Sequence, residues 1–255
     1  MKIATWNVNS LRARLEHVLR WLELQSPDIL GIQEIKMADE EFPLMDFKAL
    51  GYEAAVSGQR GYNGVALLSR FPIEDTLRDI PGLHDPERRV LAATIKGLRI
   101  VNLYVPNGGF VGSKKFDYKL AWLRALASYL KEELERYPET VVMGDLNIAP
   151  EDRDVYNPKL WEGRIMCSEE ERAAFRALLD IGFCDVFRLF HPESGHHTWW
   201  DYRGKAFEKN RGLRIDHILA STPLCQRFAD CFIDTTPRTW DKPSDHAPVV
   251  AVLKA

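Results

Sequence analysis

The chain has 255 residues, 45% hydrophobic and 28% charged, which suits a protein with a buried core and excludes a disordered one. Lys and Arg number 34 against 37 Asp and Glu, a net charge of −3. That balance excludes a wrapping protein held to nucleic acid by bulk positive charge, but not an enzyme with a locally basic groove.

In chain order, short β-rich runs are predicted at residues 2–6, 29–33, 63–68, 90–95, 98–105, 140–143, 214–219 and 248–253. Between the first two, Leu11, Leu15, Val18, Leu19 and Leu22 recur at helical spacing behind Ser10, an N-cap residue type. A second helix follows from Phe116, Leu120, Leu123, Leu126, Leu130 and Leu134, with Pro138 beyond its end. A third has a capping box, Ser168 with Glu171, ahead of Phe175, Leu178 and Leu179, and Gly182 as its stop. Many short strands with few helices argue for an α/β sandwich, and no linker divides residues 1–255 into more than one domain. No nucleotide-cradling GxGxxG or GxxxxGK[ST] occurs. The start has no apolar leader core, and no run reaches the roughly 18 apolar residues of a membrane helix. The four cysteines (Cys167, Cys184, Cys225, Cys231) show no CxxC spacing. They read as reduced, packed thiols of a cytoplasmic protein, without a metal or disulfide role.

Polar residues stand where strands end: Asn7, Gln33-Glu34, Tyr104, Asp145 with Asn147, and Asp245-His246. Any one alone is most simply a turn residue. Asp216 is harder to dismiss, because it interrupts an apolar run and a buried carboxylate needs a partner, for which His246 is the candidate. Trp6-Asn7-Val8-Asn9 and Asp145-Leu146-Asn147-Ile148 echo one another, as two sheets related by a pseudo-two-fold would. His17, His84, His217 and the adjacent His196-His197 are expected to be structural. The basic residues worth following are Arg88-Arg89, Lys114, Lys115, Lys119 and the stretch from Arg203 to Arg214, which lies beside Trp199, Trp200, Tyr202 and Phe207. Cations for phosphates and rings for sugars or bases make a nucleic-acid surface.

Seven blocks together resemble the exonuclease III family of DNA-repair nucleases. They are Trp6-Asn7-Val8-Asn9, Ile32-Gln33-Glu34-Ile35-Lys36, Gly64-Val65-Ala66-Leu67, Arg88-Arg89-Val90, Gly144-Asp145-Leu146-Asn147-Ile148, Gly212-Leu213-Arg214-Ile215-Asp216 and Ser244-Asp245-His246-Ala247-Pro248. The resemblance implies a four-layer α/β sandwich of two packed mixed sheets flanked by helices. It also implies Mg²⁺-dependent phosphodiester hydrolysis, with Mn²⁺ as a substitute, on double-stranded DNA by a monomer acting in base excision repair. The activities implied are abasic-site incision, 3′-to-5′ exonuclease action and removal of blocked 3′ ends.

Position by position, the resemblance makes Glu34 the principal metal carboxylate, with Asn7 beside it and Asp245 as a second. Asp145 would activate the attacking water, and Asn147 would orient it and donate to the phosphate. Tyr104 would face the scissile phosphate, and Asp216 would orient His246. Asp145, Asn147 and His246 also border the metal. Arg89, Asn107, Met166, Trp199, Leu213 and Ile215 would touch DNA or line the deoxyribose pocket.

The size of the set is reasonable. A general base contributes about 10²–10⁴-fold and an oriented donor about 3–4 kcal/mol, so no single residue supplies the ~8–23 kcal/mol typical of enzymes. An oxygen-rich set suits Mg²⁺. Two positions depart from the family pattern: Met166 stands where a small residue is usual, and Asn9 where some members are acidic. A thioether at Met166 is expected to hinder internal abasic sites and favour 3′-end processing. Two other readings are an inositol-phosphate phosphatase or sphingomyelinase, opposed by the Trp199–Asp216 stretch, and a non-catalytic binding protein, opposed by the complete polar set.

Overall fold

The computed structural model describes all 255 residues. Strand β1 (Lys2–Asn7) crosses through α1 (Leu11–Gln25) to β2 (Ile29–Gln33). Helix α2 (Leu44–Ala49), β3 (Glu53–Ser57) and β4 (Val65–Ser69) follow. Next come β5 (Ile73–Leu77), β6 (Val90–Ile95) and β7 (Leu98–Tyr104), which crosses through α3 (Lys114–Arg136) to β8 (Thr140–Asp145). The chain then runs through α4 (Pro158–Trp161), α5 (Glu169–Gly182), β9 (Phe183–Asp185) and α6 (Val186–Phe190). The short pair β10 (Trp199–Trp200) and β11 (Gly212–Leu213) precedes β12 (Asp216–Ser221), α7 (Thr222–Cys225), β13 (Phe228–Ile233) and β14 (Val249–Leu253).

Two six-stranded sheets result, β13-β14-β1-β2-β4-β3 and β5-β6-β7-β8-β12-β9. In each, the middle pair is parallel (β1 with β2, β7 with β8) and every other neighbour is antiparallel. The two orders therefore correspond strand for strand. Ile3, Ile29, Leu67 and Ala251 of one sheet meet Leu91, Ile100, Val141 and Ile218 of the other in the central core. Alternate residues face outward: Ala4 and Trp6 pack under Leu11, Val18 and Trp21 of α1, and Val142 and Leu219 under Leu123, Leu126 and Phe175 of α3 and α5. With both faces covered, the central strands are buried and largely apolar, and each large apolar side chain buried there contributes about 1.5–3 kcal/mol. This is the expected four-layer sandwich.

Ser10, Ser113 and Ser168 cap α1, α3 and α5, and Ser168 forms the expected reciprocal pair with Glu171. The eight predicted strands all exist, and every one lies inside a sheet. Six strands escape the apolar pattern: β3, β5, β9 and β13, which are the four edges of the large sheets, and the two-residue strands of the β10–β11 pair. Edge strands such as Ile-Glu-Asp-Thr-Leu face water and lack a continuous apolar run.

Two expectations are corrected. The pseudo-two-fold exists, but it pairs β1 with β7 and β2 with β8, so Asn7 corresponds to Tyr104 and the end of β2 to Asp145. The Trp6-Asn7 and Asp145-Asn147 echo joins strands that are not equivalent. Second, Cys184 and Cys225 form a disulfide, with their Cα atoms 6.3 Å apart. Pairing of β9 with β12 sets Cys184 beside Ala220, and α7 then carries Cys225 back over it. Cys167 and Cys231 are buried thiols, as expected. No helix is long and apolar enough to cross a membrane.

Candidate active site

The strand ends converge at one end of the sandwich. Asn7 Nδ2 closes β1 by donating to Glu34 Oε2 (2.7 Å) and to Asp145 Oδ2 (2.9 Å) of the opposite sheet. Glu34 leaves β2 with φ 52 and Asn147 leaves β8 with φ 50, so both chains turn sharply where their side chains are delivered. Below them a buried polar bridge ties the sheets together: Gln33 Nε2 donates to Thr5 Oγ1 and Asn102 Oδ1, and Asn102 Nδ2 donates to the carbonyls of Ile32 and Ala66.

Asp145 faces Asp216 directly in the β8–β12 ladder. Its Oδ1 accepts from the Asn147 amide (2.9 Å), and the Asn147 side chain donates to the Val105 carbonyl (2.9 Å). Thr198 Oγ1 accepts from the amides of both Ile215 and Asp216, fixing the start of β12. His246 Nδ1 lies 2.8 Å from Asp216 Oδ2, which gives Asp216 the partner it needs, and its Nε2 lies 3.6 Å from Asp145 Oδ2. Trp199 Nε1 donates to Asp245 Oδ2 (3.0 Å), leaving the buried Oδ1 without a partner.

The electrostatics follow from this crowding. Burial, then the charge of Asp216, pushes the Asp145 carboxyl above the usual carboxylate range. Burial opposes charge on His246, but Asp216, Asp145 and Asp245 outweigh it and raise the imidazole above its ordinary value. Burial, then Glu34 and Asp145, raises the Tyr104 phenol well above its usual value, so its O–H acts as a donor. A donor set of Glu34, Asp145 and His246 has its ligand atoms within 4.8 Å of one another. Together with the unpartnered oxygen of Asp245, it fits a hard divalent cation, which would offset the repulsion among these carboxylates.

Beside Tyr104 a cleft of about 400 Å³ is lined by Arg89, Asn107, Lys115, Tyr62 and Asn63. Arg89 Nη1 donates to the Tyr104 carbonyl (3.2 Å), and its guanidinium lies over the Tyr104 ring.

The endonuclease/exonuclease/phosphatase family model matches residues 4–246. The chain belongs to that family. It is 39% identical to exodeoxyribonuclease III of Haemophilus influenzae, over 100% of both chains. Among solved structures, a Neisseria 3′ phosphatase bound to a product DNA hairpin superposes with TM-score 0.98 at 44% identity, over 100% of both chains. An AP endonuclease from Archaeoglobus fulgidus superposes with TM-score 0.96 at 42% identity, again over 100% of both.

The structure brings Asn7, Glu34, Tyr104, Asp145, Asn147, Asp216, Asp245 and His246 together, as the sequence led one to expect. Arg89 and Asn107 line the adjoining cleft, and Trp199 stands beside Asp245. Leu213 and Ile215 are corrected: at 0% and 1% exposure they have no free surface for DNA and instead back Trp199. Met166 packs in the same apolar cluster, with Ala149, Val155 and Cys167.

Two of the basic residues singled out from sequence are structural. Arg214 is buried between Asp154 and Asp185. Lys119 is fully buried; its Nζ pairs with Glu171 and donates to the carbonyls of Asn147 (2.7 Å) and Asn107 (3.1 Å). The signal was available, because Lys119 shares a helix face with Phe116, Leu123 and Leu126, where a solvated lysine does not belong. Among the histidines, His217 is buried against Arg214 and the Ile148 carbonyl, as the structural reading anticipated.

Proposed function

We infer that this chain is a metal-dependent DNA-repair nuclease, a phosphodiester hydrolase acting on double-stranded DNA. The observation that carries this is the single polar cluster built from both sheets, in which Asn7 hydrogen-bonds to both Glu34 and Asp145, and His246 hydrogen-bonds to Asp216 and makes a 3.6 Å charge contact with Asp145. The exodeoxyribonuclease, 3′ phosphatase and AP endonuclease named above support DNA as the substrate.

In this reading Asp145 accepts the proton of the attacking water, held for that task by the Asn7 and Asn147 hydrogen bonds. Asn147, positioned by its own side-chain bond to Val105, orients the water and the phosphate. His246, held by Asp216, and the Tyr104 hydroxyl present donors to the phosphate oxygens. Glu34, Asn7, Asp145 and Asp245 would hold Mg²⁺, or Mn²⁺ in its place, with Asn147 and His246 at its border. Such an ion neutralises charge on the phosphate. Arg89, Asn107 and Trp199 face the DNA strand. The molecule works as one domain and a monomer, in the cytoplasm and without a membrane partner.

Asp145→Asn is expected to lower turnover by about 10²–10⁴-fold while leaving duplex affinity nearly unchanged. Wild-type turnover by that variant in excess Mg²⁺ would remove Asp145 from the role of base. A chelator is expected to abolish activity, and Mg²⁺ to restore it.

The finer reading is that 3′-end processing outweighs abasic incision. Met166 sits at φ 70, a backbone conformation glycine adopts freely, and its side chain fills the apolar cluster behind Trp199. Met166→Gly should empty that space. An increase in internal abasic cleavage, with unchanged release of 3′-phosphate, would support the reading; an unchanged ratio of the two activities would end it.

A further inference from the structure

Away from the strand-end cluster, the loop after α6 carries His191, Glu193 and His196 in a H-x-E-x-x-H spacing. His191 Nδ1 lies 3.5 Å and His196 Nε2 2.8 Å from the same oxygen, Glu193 Oε1. All three ligand atoms fall within 4.8 Å of one another. A tetrahedral ion with bonds of about 2.0–2.2 Å spaces its ligands by about 3.3–3.6 Å, so the His191–Glu193 pair already has that spacing and the His196–Glu193 contact would open slightly to match it.

A second observation points to a ligand. His191 Nε2 lies 2.7 Å from the backbone carbonyl of Cys231. A carbonyl only accepts, so Nε2 carries the hydrogen, and in the neutral ring the lone pair is on Nδ1. That lone pair faces a carboxylate 3.5 Å away, which is repulsive unless a bound cation or a second ring proton lies between them. Donation of the outer N–H to a carbonyl is also how metal-bound histidines are commonly oriented.

The surroundings hold the set in place. The Phe187 ring stacks on His191 at 4.5 Å and meets His196 edge-on at 5.3 Å. Arg188 Nη1 donates to the carbonyls of His191 (2.8 Å) and Glu193 (2.7 Å), fixing the backbone on which the ligands stand. Gly195, at φ 93, turns the chain back toward His191. The three side chains are 28%, 56% and 34% exposed, so an ion can reach them and water can complete its shell.

We propose that His191, Glu193 and His196 form a second cation site, for a borderline ion of the Zn²⁺ class, separate from the nuclease centre. Two imidazole nitrogens and one carboxylate favour such an ion over Mg²⁺, which prefers an all-oxygen shell. Binding would pin the segment that leads directly into Thr198, whose hydroxyl fixes the start of β12.

The test is a titration of the untagged chain with Co²⁺, then Zn²⁺, in excess Mg²⁺. One Co²⁺ should bind with the visible bands of a low-coordinate site, be displaced by Zn²⁺ and survive Glu34→Gln. Zn²⁺ should raise the Tm of wild type. Affinity should fall at least about tenfold in both His191→Ala and His196→Ala, with their Mg²⁺-dependent nuclease rate retained as evidence of folding. Uptake that is lost in Glu34→Gln, or that is unchanged in two active histidine variants, would overturn the proposal. Should one alanine variant fold poorly, His196→Gln reads the same ligand with less disturbance.

Discussion

The β1–α1–β2 and β7–α3–β8 units occupy equivalent places in their sheets, yet they build different things. In the first, helix α1 starts four residues after Asn7, so the connection is too short to do more than turn. That unit supplies only Asn7 and, at the end of β2, Glu34. In the second, α3 starts ten residues after Tyr104, and the longer connection places Pro106, Asn107, Gly108 and Gly109 along the cleft. One topology thus yields an acidic corner and the wall of a cleft, and the length of the strand-to-helix connection decides which. The second unit also needs an internal brace. Lys119 reaches from α3 to the carbonyls of Asn107 and Asn147, tying the wall of the cleft to the turn that carries Asn147. In the first unit the nearest counterpart is Lys36, half-exposed and 3.8 Å from Glu34.

The sharpest way to break the comparison is at the glycines of the paired strands. A Cβ on Gly144 would lie 1.9 Å from the Leu103 backbone oxygen, in a ladder that cannot shift, with φ at 148. Gly144→Ala should cost more than about 4 kcal/mol in denaturant unfolding. A Cβ on Gly31, in β2, meets the ends of the Met143 and Asn102 side chains at 2.7 and 2.8 Å. Gly31→Ala should therefore cost about 1–3 kcal/mol. Equal costs would mean that the two units are equally constrained.

Next is the brace. Lys119→Met leaves Glu171 buried without its cation and should cost about 3–5 kcal/mol. Adding Glu171→Gln should recover part of that stability. It should not recover kcat, because the Asn147 and Asn107 carbonyls still lack their donor. Full kcat in the double variant would make Lys119 a purely structural residue.

The last test concerns His217, which follows Asp216 in β12. Burial, then the neighbouring Arg214, lowers its pKa to about 4 from 6.5. The unfolded chain therefore binds this proton first, and the stability contributed by the neutral ring is lost as pH falls from 6.5 toward 4. His217→Gln removes that proton uptake. The stability gap between wild type and variant should narrow by about 3 kcal/mol across this window, measured by urea unfolding at each pH. A gap independent of pH would show that the ring titrates normally.

Legibility tracked the physical cause of each feature. The residues of the polar cluster could be read because they end apolar strands, and Asp216 because a carboxylate in such a strand requires a partner. Leu213 and Ile215 were misplaced as DNA contacts, because their apolar character is the same whether they line a pocket or sit beneath one. Arg214 and Lys119 were misplaced because charge alone does not reveal whether its partner is a phosphate or a buried carboxylate.

What the amino-acid order determined alone was local: eight interior strands, three capped helices and the polar residues at strand ends, all set by period, capping and turn chemistry. The fold decided what depends on partners distant in the chain: the four edge strands, the Cys184–Cys225 bond, the buried cations, and the meeting of Asn7 with Asp145 across 138 positions. Sheet edges and the partners of buried cations are legible only in three dimensions, because their stability comes from what the neighbouring elements supply and not from the residues that form them.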